Sequence, residues 1–242
     1  MNFEMTGLGT IINVVGIIAG GILGRVCGSF LKERYQDTLN KTCGVCVLFI
    51  GIGGAMEGML TVNGDSVASG SSMLIVICMV LGALLGELLN LEDKMEQFGE
   101  WLKKRTGNSG EKRFVEGFVT ASLTVSIGAM AIVGAIEDGL TGDYSILATK
   151  AVLDFIIVLV MTCSLGKGCV FSAIPVAAIQ VTFTCLAGFM KPLMTKLALT
   201  YLSMIGSILI FCVGLNLVWG KKIRVANLLP AIIFAVAISF MA

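Results

Sequence analysis

The chain has 242 residues, of which 56% are hydrophobic and only 14% are charged, and its mean hydropathy is +0.94. A soluble domain of this size has about a quarter of its residues charged, so this composition excludes a soluble globular protein. The net charge of +1 gives no basis for a nucleic-acid partner, and we expect none. The sequence predicts an all-α, polytopic transmembrane helix bundle in contact with the lipid bilayer.

Eight apolar blocks approach the roughly 20 residues that a membrane-spanning helix needs. They cover residues 7–24, 43–61, 72–90, 114–136, 145–165, 169–188, 198–219 and 226–241. The residues before the first block carry no Lys or Arg, so we expect a retained helix rather than a signal peptide. The eighth block is the shortest, and the sequence leaves its completeness open. We treat residues 1–242 as a single transmembrane domain.

The basic residues predict the orientation of these spans. Fourteen of the 17 Lys and Arg residues fall in the connections after the first, third, fifth and seventh blocks. Because basic residues concentrate in cytoplasmic loops, both termini are expected outside, in a multi-pass protein of the bacterial cytoplasmic (inner) membrane. Residues 29–41 and 91–105 mix charges with large apolar residues at helical spacing. They are interpreted either as amphipathic helices on the membrane surface or as helical extensions of the spans.

Glycine is concentrated in the first part of the chain, where 24 of the 30 glycines precede residue 143. Gly16, Gly20, Gly24 and Gly28 lie four residues apart and form one ridge along the first span. A ridge of small residues lets two helices approach closely in lipid. The partner helix belongs either to the same chain or to another subunit, in which case the glycine-rich first span would join a homo-oligomer.

A weak internal repeat relates the first two hairpins, with predicted repeat units at residues 7–61 and 72–140. The matching positions are Gly20 and Gly24 with Gly82 and Gly86, and residues 54–57 with residues 134–137. Both units have the same orientation. Chance matches in glycine-rich membrane sequence are the alternative explanation.

Two ionisable residues lie within the fifth block. Asp154 is near its middle, where a carboxylate costs roughly 2.5–3.5 kcal/mol on insertion scales. Lys150 lies one turn earlier on the same helix face, so the two can pair as i, i+4. Ionisable groups inside a membrane usually mark functional sites, and we interpret the pair as a site for a cation, a proton or a polar solute. A buried structural ion pair is the alternative.

Other polar residues extend this prediction toward the outer side. Glu137 and Asp138 begin an acidic segment, residues 137–143, that leads into the fifth block, and Glu57 closes the second block. Together they are predicted to form a negative entrance that gathers cations, with an ordinary solvated loop as the alternative. Asn13, beside the glycine ridge, is predicted to be a neutral ligand, or else a hydrogen-bonding group between helices.

Several kinds of chemistry are excluded. The sequence contains no histidine, so histidine-dependent triads and zinc sites are ruled out, and it has no GxxxxGK[ST] or GxGxxG motif. The eight cysteines lie mostly in or beside apolar blocks and are interpreted as small hydrophobic residues. We therefore predict no enzymatic activity and no cofactor, and we leave metal binding open.

Several segments of the chain carry a resemblance to a known family. They are Gly9-Thr10 with Asn13, residues 116–123, 128–134 and 137–143, Lys150, Leu153-Asp154, residues 172–176 and residues 228–230. Together they resemble the bacterial membrane proteins grouped as domain of unknown function 554, the YqgA/YdfK-like family. The resemblance implies a membrane protein and leaves the function open, and it marks the segment from Glu116 to Asp154 as a family signature.

The residues favour a transporter of a small cation or a small polar or zwitterionic solute. Asp154 and Lys150 would form its midplane site, with the acidic entrance outside and Asn13 as a ligand. An ion channel with the same lining is one alternative. The other is a membrane scaffold or sensor that acts through its cytoplasmic segments, including Trp101 and residues 103–105. The sequence does not identify the substrate.

Overall fold

The computed structural model describes residues 6–63 and 66–241. Its α-helices are α1 (Leu8–Phe30), α2 (Glu33–Met59), α3 (Ser72–Leu89), α4 (Leu91–Arg105), α5 (Phe114–Ser126), α6 (Ala129–Thr141), α7 (Ser145–Leu165), α8 (Ala173–Cys185), α9 (Ala187–Met190), α10 (Lys196–Trp219) and α11 (Pro230–Ile238). Short 3₁₀ helices cover Lys167–Ser172, Lys191–Leu193 and Val225–Leu228. The chain is a polytopic helical membrane protein, as its composition predicts.

The described residues provide six helices long and apolar enough to cross a membrane, or seven spans if the bent pair α5 and α6 counts as one. These seven coincide with the first seven predicted blocks. The eighth block corresponds to a shorter apolar stretch, Val225–Ile238. The fourth block contains a break that the sequence did not predict, because its helix is interrupted between Ser126 and Ala129.

The two charged connections behave differently. Residues 33–41 continue directly into α2, so this connection is a helical extension of the second span. By contrast, Asn90 adopts a left-handed conformation with φ 50° and ends α3, which makes α4 a separate helix. Phe98 of α4 packs against Phe118 of α5, with ring centroids 5.8 Å apart, and Trp101 is 56% exposed. Residues 91–105 are therefore a separate helix and not an extension of the third span, and their position on the membrane surface stays a prediction.

The chain divides into two compact units. The first contains the residues up to Cys43, Met95–Ser126 and Met130–Leu193. Its centre is the contact between α1 and α7, which run parallel since Gly16 faces Ala151 and Gly28 faces Cys163. A methyl group added at Gly16 would lie 3.0 Å from the Ala151 carbonyl oxygen. The predicted glycine ridge thus packs against α7 of the same chain, which is the first of the two alternatives, and a homo-oligomer stays a prediction.

The opposite face of α1 carries large apolar side chains. Ile11, Val15, Ile22 and Val26 are each more than half exposed, at the spacing of one helix face. In a bilayer such a face contacts lipid, because packing against small residues holds the other face to its neighbour.

The second unit contains Gly44–Lys94, Ile127–Ala129 and Met194–Ala242. Within it, α2 packs antiparallel to α10, since Gly44 faces Val218 and Gly58 faces Met204. A core centred on Cys78 joins α3, α10 and α11. Between α2 and α3, the strands β1 (Leu60–Asn63) and β2 (Ser66–Ser69) form an antiparallel hairpin with Leu60 opposite Ser69.

Candidate functional site

The middle of α7 carries a buried ion pair between Lys150 and Asp154. Asp154 is the tenth residue of this 21-residue helix, and the two side chains meet because i and i+4 share one helix face. The Lys150 ammonium donates a hydrogen bond to the Asp154 carboxylate. The residues are only 6% and 3% exposed, respectively. The predicted pairing of these two residues is present, within one helix.

Lys150 also reaches a second helix. Its Nζ donates a hydrogen bond of 2.7 Å to the backbone carbonyl oxygen of Val125, in the last turn of α5. The last four carbonyls of a helix have no partner within the helix, and together they form the negative end of the helix dipole. The Lys150 ammonium is therefore held by a carboxylate oxygen and a helix-terminal carbonyl oxygen.

This carbonyl is available because the helix breaks at this point. α5 and α6 are bent by 63° relative to each other, and Gly128 between them has φ 144°, a backbone conformation that favours glycine. Broken helices at membrane depth occur where protein buries the freed backbone groups or where they line a cavity. Sequence reasoning missed Val125, since its contribution is a backbone atom. The available signal was Gly128, close after the polar run of Ser122, Thr124 and Ser126.

Asn13 approaches the ion pair from α1. It is fully buried, and its amide lies near the Asp154 carboxylate, although neither of its polar side-chain atoms completes a hydrogen bond among the described residues. The close packing of Gly16 on Ala151 brings this part of α1 to α7. Asn13, Lys150 and Asp154 thus lie together, as the sequence predicts.

The interior of this unit is rich in polar atoms. Nine of its described residues have buried side-chain oxygens or nitrogens with no hydrogen-bond partner among the described residues: Thr10, Asn13, Ser122, Ser126, Asp138, Thr162, Ser172, Gln180 and Thr184. Such atoms are costly in an apolar interior unless water or a ligand satisfies them. Their concentration makes the interior of this unit a polar environment.

Asp138 was predicted to form part of a solvated acidic entrance, and its burial in the structure differs from that prediction. α6 continues to Thr141, so Glu137 and Asp138 are helical and the loop begins later than expected. Asp138 is fully buried, and its carboxylate accepts a hydrogen bond of 3.1 Å from the Gly9 N–H in the first turn of α1. A carboxylate stabilises the positive end of a helix dipole, so Asp138 caps α1 from a neighbouring helix.

The remaining acidic residues have separate environments. Glu137 is half-buried on α6 in the first unit, whereas Glu57 is exposed near the end of α2 in the second unit. Asp143 is exposed, and its carboxylate accepts hydrogen bonds from the Ser145 N–H at 2.9 Å and from the Ser145 hydroxyl. These two hydrogen bonds, with the hydroxyl as the larger cause, lower the pKa of the Asp143 carboxyl. The Asp143 carboxylate therefore stabilises the first turn of α7.

The second unit contains a buried acid that sequence reasoning missed. Glu92 is 3% exposed. Its carboxylate accepts a hydrogen bond of 2.9 Å from the Ala226 N–H and pairs with Lys221 at 2.9 Å. Its own N–H donates to the Asn227 side chain at 2.7 Å. In the sequence Glu92 is one of several charges in an amphipathic segment, so no local signal marks it, and its contacts indicate a structural role.

Across residues 6–63 and 66–241, no group of three or more His, Cys, Asp or Glu side chains is arranged to hold a metal ion. The candidate site is therefore the arrangement of Asn13, Val125, Lys150 and Asp154.

All four residues of the candidate site lie within the part of the chain that matches a known family. The sequence model of the family described as "Protein of unknown function (DUF554)" matches residues 8–240. The chain is 29% identical over 233 residues to a Bacillus subtilis (strain 168) protein described as "Uncharacterized membrane protein YdfK". It is also 29% identical over 239 residues to an Escherichia coli (strain K12) protein described as "Uncharacterized protein YqgA". Each alignment covers 96% of both chains. No solved structure matches the chain.

Proposed function

The chain belongs to the DUF554 family, and on that premise we propose that it transports a small cation across the bacterial inner membrane through the buried site on α7. The observation that carries the proposal is the position of the Lys150 ammonium. It is a single positive charge held by the Asp154 carboxylate and the Val125 carbonyl. Carboxylate and carbonyl oxygens are also the ligands that hard cations prefer.

In this proposal, Lys150 is a tethered cation that a transported cation replaces. A permeating ion that binds the two oxygens takes over the favourable interactions of the ammonium group with Asp154 and with the end of α5. Release of the ion lets Lys150 return, so the buried carboxylate never remains without a positive partner, which would be costly inside a membrane. The Asn13 side chain lies near Asp154, and in this proposal its amide oxygen turns to the ion as a further neutral ligand.

The path to the site draws on the polar interior of the first unit. Buried polar atoms on α1 (Thr10 and Asn13) and on α5 (Ser122 and Ser126) have no partner within residues 6–63 and 66–241, and these atoms can interact with a hydrated ion. Glu137, half-buried on α6, is the acidic residue we retain for the outer entrance. The role of Asp138 in this proposal is limited to its contact with α1. The role of Glu57 at the outer entrance stays a prediction, because Glu57 belongs to the other unit.

A small zwitterionic solute is the second substrate class that the site fits. Its amine would take the position of the Lys150 ammonium at Asp154, while its carboxylate would bind to the displaced ammonium. The Val125 carbonyl favours the cation, since a carbonyl oxygen repels a carboxylate and attracts only the positive group.

The test is cation uptake into proteoliposomes that contain the purified full-length chain, measured with radioactive sodium, radioactive rubidium and a pH-sensitive dye. We expect saturable uptake of at least one cation, driven by a counter-ion gradient. Asp154→Asn keeps the side-chain shape but removes the charged ligand, so uptake should fall about 10- to 100-fold. Lys150→Gln removes the competing ammonium, so a lower cation concentration should half-saturate uptake.

Asp37→Asn is the matched control, because Asp37 forms an exposed ion pair with Lys41 on α2 and uptake should equal that of the unaltered chain. Size-exclusion profiles establish that each variant is folded. Unsaturated conductance that needs no counter-ion would identify a channel with the same lining. If folded Asp154→Asn and Lys150→Gln proteins both behave like the unaltered chain, the pair is only structural.

A scaffold or sensor role would give a different pattern. The exposed Trp101 stacks on Phe98, with ring centroids 5.7 Å apart, and residues 103–105 follow on the same helix. A cellular phenotype that is lost with Trp101→Ala and retained with Asp154→Asn would support that role and contradict transport.

A further inference from the structure

One end of the first unit contains a cavity of about 530 Å³ with a strongly basic lining, which we call the basic pocket. Its charged residues are Arg25, Lys112, Arg113 and Lys167, opposed by Glu33 and Glu111, so the lining carries two net positive charges. The pocket lies at the ends of α1 and α7 that carry the basic connections. The distribution of Lys and Arg predicts that this end is cytoplasmic.

The pocket's own residues leave part of this positive charge unpaired. Lys167 pairs with Glu111 at 2.8 Å, and the Arg113 guanidinium donates to the Ser164 carbonyl at 3.4 Å. In the part of the chain that the structure describes, the side chains of Arg25 and Lys112 have neither a hydrogen bond nor an ion pair. The pocket is therefore electrostatically suited to an anion.

A buried threonine also lines the basic pocket. Thr162 lines it and is 2% exposed, and its hydroxyl has no hydrogen-bond partner among the described residues. The hydroxyl lies near the Cys169 thiol, which is a weak partner, so rotation of the Thr162 side chain would let it donate to a phosphate oxygen, a much stronger acceptor.

A second cavity of about 680 Å³ adjoins the basic pocket, and we call it the apolar groove. The two share Arg25, Ser29 and Lys167. Elsewhere the groove is lined mostly by apolar side chains, among them Val26, Phe30 and Phe171, together with the polar Thr106 and Asn108. Val26 and Phe30 are more than half exposed, on the face of α1 that contacts lipid. A ligand that fills both cavities needs an anionic head and an apolar chain.

We propose that these two cavities form a binding site for an anionic phospholipid. The phosphodiester lies in the basic pocket, in contact with Arg25 and Lys112, and one acyl chain lies along the apolar groove. Basic pockets between transmembrane helices on the cytoplasmic side bind such headgroups, and the adjoining groove favours a lipid over a free phosphate. The site shares none of its lining residues with the Lys150–Asp154 site, so its test is independent of the transport proposal.

The experiment measures lipid binding to the purified full-length chain in detergent, by native mass spectrometry and by the shift in thermal unfolding temperature. The probes are phosphatidylglycerol, phosphatidylcholine with the same acyl chains, and inorganic phosphate. We expect phosphatidylglycerol alone to be retained and to raise the unfolding temperature. Arg25→Gln combined with Lys112→Gln should weaken its binding about 30-fold, given the usual contribution of each basic residue.

Arg105→Gln combined with Lys104→Gln is the matched control, because it removes the same two charges from exposed positions outside both cavities. Its phosphatidylglycerol binding should match that of the unaltered chain. Equal weakening in both double variants would show attraction by net charge only and overturn the site. Equal stabilisation by inorganic phosphate would show a phosphate site, and equal retention of phosphatidylcholine would show unspecific lipid binding.

If the Arg25 and Lys112 double variant does not fold, a salt titration of the unaltered chain decides the question. Binding of phosphatidylglycerol that weakens with rising salt, while phosphatidylcholine binding does not change, supports the proposal. Salt-independent binding of both lipids contradicts it.

Discussion

Substitution of Gly51 by alanine tests whether glycine sets the distance between the membrane helices. Gly51 lies on α2 and faces α10. A Cβ atom added there would lie 2.6 Å from the backbone nitrogen of Phe211, whereas ordinary contacts begin at 3.4 Å. The shortfall of roughly 0.8 Å falls on backbone atoms, so the helices have to separate, and overpacking of this kind costs about 1–3 kcal/mol.

Gly53 on the same helix provides the control, since a Cβ atom added there would meet nothing within 4 Å. Alanine has a higher helix propensity than glycine by about 0.8–1 kcal/mol, and this gain is common to both substitutions. The difference between the two variants therefore isolates the packing cost. With roughly 2–4 °C per kcal/mol for a chain of this size, Gly51→Ala should melt about 2–12 °C below Gly53→Ala.

The assay is thermal unfolding of both purified variants in the same mild detergent, followed by far-ultraviolet circular dichroism. A Gly51→Ala protein that melts at or above the Gly53→Ala protein would refute the reasoning. It would mean that the contact between α2 and α10 adjusts without cost, and that glycine at position 51 is not needed for packing.

Substitutions at three further positions probe the first unit and the helix break, with unfolding temperature as the measurement. Asp138→Ala removes the acceptor for the Gly9 N–H and should cost about 1–3 kcal/mol, with Asp138→Asn intermediate; no loss would mean that Asp138 does not cap α1. Gly128→Ala, at φ 144° in open space, should cost about 1–3 kcal/mol of backbone strain, and an unchanged melt would contradict this. Because hydrogen bonds from Ser145 lower the pKa of Asp143, their stabilisation is present above the unfolded-state pKa and is lost as pH falls through the lower folded-state pKa. Between about pH 5 and about pH 2, the unaltered chain should lose more stability than Asp143→Asn, and parallel losses would exclude this contribution.

The sequence by itself determined the class of protein and most of its helices. Long apolar blocks with few charges are stable in a bilayer as membrane-spanning helices, because a helix satisfies its own backbone hydrogen bonds. The predicted block at residues 145–165 has the same bounds as α7. The sequence also identified the pair Lys150 and Asp154, because residues four apart on a helix always share a face. The family resemblance is confirmed over residues 8–240.

The tertiary structure alone decided which groups surround that pair. The Val125 carbonyl reaches Lys150 because the helix breaks near Gly128, and hydropathy does not reveal such a break since both halves are equally apolar. The burial of Asp138 depends on the packing of α6 against the start of α1, a contact between residues 129 positions apart. The glycine ridge signals close approach, but only the folded chain shows that its partner is α7, because small residues specify a distance between helices and not the identity of the neighbour.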